Sequence, residues 1–212
     1  MTPRPASTSQ QQIVDAALAL LDEQGHETFS MRKLGSRLAV DPMTIYHHVP
    51  DKGALFDLVV DRIWTGLQPP TTGDWTTQVA GLARELRRSL MQHPRLVVLV
   101  ATRPAVTPSL LSLVDQTVTR LVAAGLGAAE AMRLLDCVVA FTVGKVQGEL
   151  RQPTGGSQTT PEESLQSLLA SLPGLASAID EGYQWQPDEE FELGLTALLA
   201  GWPVSSGSTA GS

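Results

Sequence analysis

Apolar residues recur along most of the chain at intervals of three and four, the spacing that lines one side of a helix. No run between turn signals alternates as a half-buried strand would. The pattern predicts an all-α protein. Ile13, Ala17, Leu20 and Leu21 form the first stripe, on a helix expected to start after Ser9 and end before Gly25, with Gln12 placed to complete a capping box. A second helix opens at Phe29-Ser30. Ser30 is a good cap, Phe29 can staple onto Leu34, and Met31, Leu34 and Leu38 line the inner side. The same grammar returns at once: Asp41 caps, Pro42 takes the first helical position and Val40 staples onto Ile45. Two short helices are therefore joined by a very tight turn. Further stripes predict helices near residues 75–92, 95–102, 108–124, 128–151, 162–171 and 188–201.

The third helix has an unusual outer face. Ile45 and Val49, four apart, bury one side and leave Met43, Thr44, Tyr46 and His47 pointing outward. Aromatic, imidazole and hydroxyl groups on a short helix beside a tight turn suit recognition in a DNA major groove, where bases present hydrogen-bonding edges and thymine methyls. Lys52 adds a clue of its own. Asp51 caps a fourth helix, which places a lysine at the positive end of the helix dipole, a poor choice unless a phosphate sits there. Arg32 and Lys33 repeat the arrangement at the start of the second helix. Spacing alone leaves a plainer reading open, in which these are ordinary core helices with solvated charges.

Helix breakers concentrate in residues 65–73 (TGLQPPTTG), so the expected division is a helix-turn-helix domain over 1–66, a larger helical domain over 74–203 and a disordered Gly/Ser-rich tail over 204–212. Residues 152–160 read as a mobile loop. Net charge is -7, the wrong sign for a surface that binds nucleic acid everywhere. The residues up to Gly66 hold six Lys/Arg against eight Asp/Glu, so a DNA footprint has to come from where the cations sit. The single cysteine, Cys137, cannot form an internal disulfide, and the start of the chain shows no leader pattern. The densest apolar run, Leu96 to Ala101, is far shorter than the roughly 20 residues of a membrane span. These features point to a cytoplasmic protein without membrane contact. Nucleophile elbows, glycine-rich phosphate loops and metal-spaced His/Asp/Glu clusters are all missing, so neither catalysis nor a metal or other cofactor is expected.

The stretch from Ile13 to Trp64, above all Thr44-Ile45-Tyr46-His47-His48-Val49 followed by Asp51-Lys52 and Leu55, resembles the DNA-binding domain of the tetracycline-repressor (TetR) family. The resemblance implies backbone contacts from Thr44, Tyr46, His48 and Lys52, backbone and base contacts from Arg32, and base reading by Pro42, Met43 and His47. It extends past the linker through Trp75, Arg87-Arg88 with Leu90, Thr102-Arg103-Pro104 and Phe141-Thr142-Val143-Gly144, over about three-quarters of the chain. Departures fall on the ligand. Where tetracycline-binding members carry a metal-binding histidine before Thr-Arg-Pro, this chain reads Leu96-Val97-Val98-Leu99-Val100, and Leu82, Leu86 and Gly148 replace drug-holding polar and aromatic groups. A magnesium–tetracycline effector is therefore not expected, and a small, largely apolar compound fits better.

Leu82, Leu86, Leu99, Thr102, Phe141 and Gln147 are the candidate pocket, the apolar members doubling as core candidates, with Thr102 and Gln147 as its polar anchors. Arg103 reads as a structural tie between helix ends. Leu134 and Val138 lie on a helix that is apolar over much of its circumference, Gly144 and Gly148 would admit a close neighbour, and Phe191, Leu195, Leu198 and Trp202 form a late stripe. The resemblance makes these eight the candidate homodimer interface, although periodicity alone fits a monomer core equally well. A dimer suits operator reading, because one short helix contacts too few base pairs for specificity. The expected partners are thus double-stranded operator DNA, a small-molecule effector and a second copy. An effector favouring a different spacing of the two reading heads would lower operator affinity through linkage. The rivals are a DNA-binding protein without effector and an enzyme.

Overall fold

The computed structural model describes residues 8–103, 106–150 and 171–203. Among them regular structure is helical throughout, with no strand. The elements are α1 (Gln10–Gln24), α2 (Met31–Leu38), α3 (Pro42–Tyr46), α4 (Lys52–Thr65) and α5 (Trp75–Gln92), then a 3-10 turn (Pro94–Leu96) leading into α6 (Val97–Thr102). They continue with α7 (Pro108–Ala123), α8 (Ala128–Leu150), α9 (Pro173–Asp180) and α10 (Pro187–Ala200).

Local chemistry sets the helix starts. Ser9 and Gln12 complete a reciprocal capping box on α1. Ser30, Asp41 and Asp51 each accept a backbone N–H from the first turn of α2, α3 and α4, and Asp74 and Thr107 do the same for α5 and α7. Each such cap is worth about 1 kcal/mol. Together they account for boundaries that lie within a residue or two of those the sequence predicts.

α8 is the axis of the molecule, with α5, α6, α7 and α10 packed around it, while α1 and α4 pack together and α4 rests on α6 and α7. The buried apolar residues form one continuous cluster from Ile13 to Leu199. Two expectations change. The helix expected over 95–102 begins as a 3-10 turn, because α5 ends at His93 in a non-helical conformation and Pro94 lacks the N–H to continue it. α9 was not legible: its eight residues offer one apolar pair at helical spacing, Leu175 and Ile179, and none of them is buried. The helix expected at 162–171, except Ser171, the loop at 152–160 and the tail at 204–212 lie outside the described residues.

Candidate nucleic-acid interface and interior site

The turn between α2 and α3 is closed by contacts that leave no room for error. α2 ends at Ala39 in the left-handed region (φ 54°), and the Val40 amide returns to the Gly35 carbonyl at 3.0 Å. A Cβ on Gly35 would lie 2.9 Å from the Val40 carbonyl oxygen and 3.3 Å from Pro42 Cγ, so α3 can sit this close only over a glycine. Ile45 and Val49 are sealed beneath α3. The opposite side is open: Met43 is 62% and Tyr46 40% exposed, His47 and His48 are exposed, and Thr44 and Pro42 are half-buried. Gln10 of α1 donates to the His48 carbonyl at 3.1 Å, holding the end of α3 in place. Arg32, exposed beside this face, makes no ion pair among the described residues. The surface therefore presents donors, acceptors and a cation without a carboxylate covering them.

Lys33 and Lys52 are placed differently from expectation. The Lys52 ammonium donates to the Phe29 carbonyl at 2.9 Å and to that of His26 at 3.4 Å, and lies 5.5 Å and 5.2 Å from the ring centres of Phe29 and Phe56. Two carbonyls and two aromatic faces offset the unfavourable helix dipole that a phosphate was invoked to explain. The Lys33 ammonium, on an exposed side chain, is likewise engaged, donating to Gln24 Oε1 and the Thr28 carbonyl, each at 2.8 Å. Both lysines brace the segment between α1 and α2.

Among the described residues no cavity brings the six candidate pocket residues together. Leu82, Leu86 and Leu99 are buried in the core and Phe141 stacks on Phe191 with ring centres 5.5 Å apart. Thr102 is exposed and its hydroxyl donates to the Val98 carbonyl, while Gln147 points to solvent on the outer side of α8. Neither intended polar anchor is therefore buried in the single chain. Thr142, which the sequence reading did not single out, is fully buried and its hydroxyl has no partner among the described residues. It interrupts the stripe Leu135, Val138, Thr142, Val146 on α8, and a hydroxyl on such a stripe was the signal available. Nearby, Glu149, only 5% exposed, accepts from Arg87, which also pairs with Asp188 at 2.6 Å and lies over the Phe191 ring.

The first four helices are tied to the remainder by polar contacts. His93, at the end of α5, pairs with Asp22 at 2.7 Å, and Arg95 donates to the Glu23 carbonyl. Arg103 does tie helix ends, donating to the Gly53 carbonyl at 3.0 Å and pairing with Asp57 at 3.1 Å, and Thr107 bonds Asp61.

Four of the eight interface candidates belong to the interior of one chain. Leu134, Val138, Phe191 and Leu195 are each no more than 1% exposed, because the most apolar side of a helix faces its own core first. Close helix approach within the chain uses Gly194, where a Cβ would meet the Phe141 ring at 2.7 Å. A Cβ at Gly144 or Gly148 would instead meet nothing within 4 Å among the described residues. Cys137, Ala140, Gly144 and Gly148 continue an exposed small-residue line along α8, and Leu193, 69% exposed, with Ala197 and Ala200 does so on α10, while Leu198 and Trp202 are half-buried.

A short solvent-facing helix locked by a glycine-dependent turn onto the helix before it defines a helix-turn-helix DNA-binding protein. Residues 13–59 match the family of bacterial regulatory proteins named tetR, and residues 68–204 match the tetracyclin repressor-like C-terminal domain. The chain belongs to the tetR family of transcriptional regulators. An HTH-type transcriptional regulator of Saccharopolyspora erythraea is 32% identical over 205 residues, covering 94% of this chain and 86% of its own. The tetracycline repressor protein class A of Escherichia coli is 30% identical over 194 residues, covering 89% and 88%. Among solved structures, Streptomyces coelicolor ActR in complex with actinorhodin superposes with a TM-score of 0.79 at 28% identity, covering 93% of this chain and 97% of that one.

Proposed function

We propose that the protein is a homodimeric repressor that reads a palindromic operator with paired α3 helices and is released by a small, largely apolar effector. The observation that carries the reading is the open outer face of α3 over a glycine-dependent turn. In this reading residues 1–66 form the reading head and 74–203 the effector and dimer unit. Arg32, Met43, Thr44, Tyr46, His47 and His48 meet the DNA, and Pro42 sets the helix start against it. Lys33 and Lys52 brace the head through the carbonyls they hold between α1 and α2. The exposed lines on α8 and α10 pair with those of a second copy, and action on the chromosome sets the cytoplasm as the place of work. No catalytic role is assigned, in keeping with relatives that are regulators.

The effector site is the interior around Thr142, with Leu82, Leu86, Leu99 and Phe141 contributing apolar surface. An unpaired buried hydroxyl costs about 1–3 kcal/mol, which a ligand donor or acceptor would recover. Binding of actinorhodin by ActR supports a small-molecule ligand for this fold. The close packing of these leucines favours one competing reading, a regulator that binds DNA without an effector.

Selection of bound duplexes from a random library at a fixed salt concentration tests the proposal, because phosphate contacts make affinity salt-dependent. A palindromic consensus is expected, and salt-sensitive binding without consensus would overturn sequence-specific repression. A compound screen against that operator, repeated with Thr142→Val, tests the effector. Loss of release in the variant with operator binding intact is expected, and no releasing compound for the native protein would favour the effector-free reading. Calorimetry with tetracycline and magnesium is expected to show no magnesium-dependent binding.

A further inference from the structure

Among the described residues of α1 to α4, two large apolar side chains stand open to solvent, Met43 at 62% and Tyr46 at 40%, and both belong to α3. Tyr46 carries a hydroxyl that suits a phosphate. Met43 has no donor, and its thioether is only a weak acceptor. Nothing in the chain covers it, yet its backbone is held on every side. Its amide donates to the Asp41 carboxylate at 2.8 Å, and its carbonyl accepts from the His47 amide at 3.2 Å. The Gly35 turn pins the start of α3, and Gln10 pins the far end through the His48 carbonyl. Pro42 and Thr44, its neighbours in sequence, are half-buried.

Met43 is the second residue of α3, and the first residues of a recognition helix are the ones that meet base edges. In the major groove guanine, adenine and cytosine offer hydrogen-bonding groups alone, whereas thymine adds a methyl. A side chain without a donor gains nothing from the polar edges. From a methyl it gains burial and dispersion contacts, and its unbranched, polarizable end adapts to the fit. Resting on the operator reading above, we propose that Met43 is a specificity-determining residue that selects thymine at one step of each half-site by packing on the 5-methyl group. It is indifferent to the pairing edge beside that methyl. A cytosine at this step is therefore rejected, and a 5-methylated cytosine is tolerated.

The test uses the full-length protein and the palindromic duplex obtained by selection from a random library. Each thymine is replaced in turn by deoxyuridine, in both half-sites together, which removes the methyl and leaves the pairing edge unchanged. Affinity is followed by fluorescence anisotropy at one salt concentration. At one step the loss of the two methyls is expected to weaken the native protein by about tenfold. Met43→Ala, with its helical signal in circular dichroism intact, should bind the thymine and deoxyuridine duplexes equally. Cytosine at the same step should weaken the native protein, and 5-methylcytosine should recover part of that loss there and none of it in Met43→Ala. A consensus without a methyl-sensitive thymine, a methyl effect that survives Met43→Ala, or equal binding of cytosine and 5-methylcytosine would overturn the proposal and leave operator reading in place. Absence of any consensus would overturn operator reading itself, and this assignment with it.

Discussion

Lys52 and Tyr46 lie six residues apart in sequence, yet the structure gives them opposite duties. The Lys52 ammonium satisfies two carbonyls of the segment before α2 and faces two aromatic rings, whereas Tyr46 projects from α3 into solvent. Lys52→Ala should therefore lower the free energy of unfolding by about 1–2 kcal/mol in urea titration, through carbonyls left unpaired. Tyr46→Ala should shift it by no more than about 0.5 kcal/mol while weakening operator binding in a gel-shift titration. Equal stability losses for the two would contradict the division. Lys52 also shows where sequence reasoning stops. Its place at the start of α4 followed from Asp51 as cap, a local rule. Its partners lie 23 and 26 residues earlier, and no periodicity reports where a flexible four-carbon stem will reach across a fold.

At the scale of elements, what was legible is what the neighbouring residues decide: caps, tight turn, and buried stripes of α1 to α3. Gly35 makes the turn a matter of a single atom. Gly35→Ala should cost about 1–3 kcal/mol by overpacking against the Val40 carbonyl and Pro42, and should abolish operator binding before it unfolds the chain. Thermal melts together with operator titration measure both effects. α10 was legible as a helix but misassigned in its facing, since Phe191 and Leu195 complete the core that α8 organises. Ion pairs hold its outer flank. Arg84 beside Glu192, and Lys145 with Tyr183 beside Glu190, hold both carboxyls below their usual value of 4.5. Because the folded-state values are depressed, the stabilisation is fully present above 4.5 and is lost as pH falls below it toward the depressed values. The stability gap between native protein and the Glu190→Gln/Glu192→Gln variant should thus be constant at neutral pH and should close on acidification, followed by urea midpoints across a pH series.

Whole-molecule behaviour depends on surfaces that have no purpose in one chain. Small residues are normally placed where something must come close, as Gly194 shows against Phe141. Among the described residues a Cβ at Gly144 or Gly148 would meet nothing within 4 Å, and the two adjoin Ala140 and Cys137 on the outside of the central helix. Leu193, 69% exposed, and Ala197 extend an apolar line on α10, the helix packed directly beside α8. A helix pair with small and apolar outer residues is the complement of its own two-fold copy, which would bury both lines in one interface. Gly148 and Leu193 are both exposed among the described residues, so Gly148→Arg and Leu193→Glu are expected to leave the protomer's core intact. Each variant should therefore keep the native helical signal in circular dichroism while sedimentation shifts from dimer to monomer. Operator affinity should fall steeply, because a single α3 reads only half of a palindrome. Retention of the dimer in both variants would move the interface elsewhere, and loss of helical signal would mean that these residues serve the protomer after all.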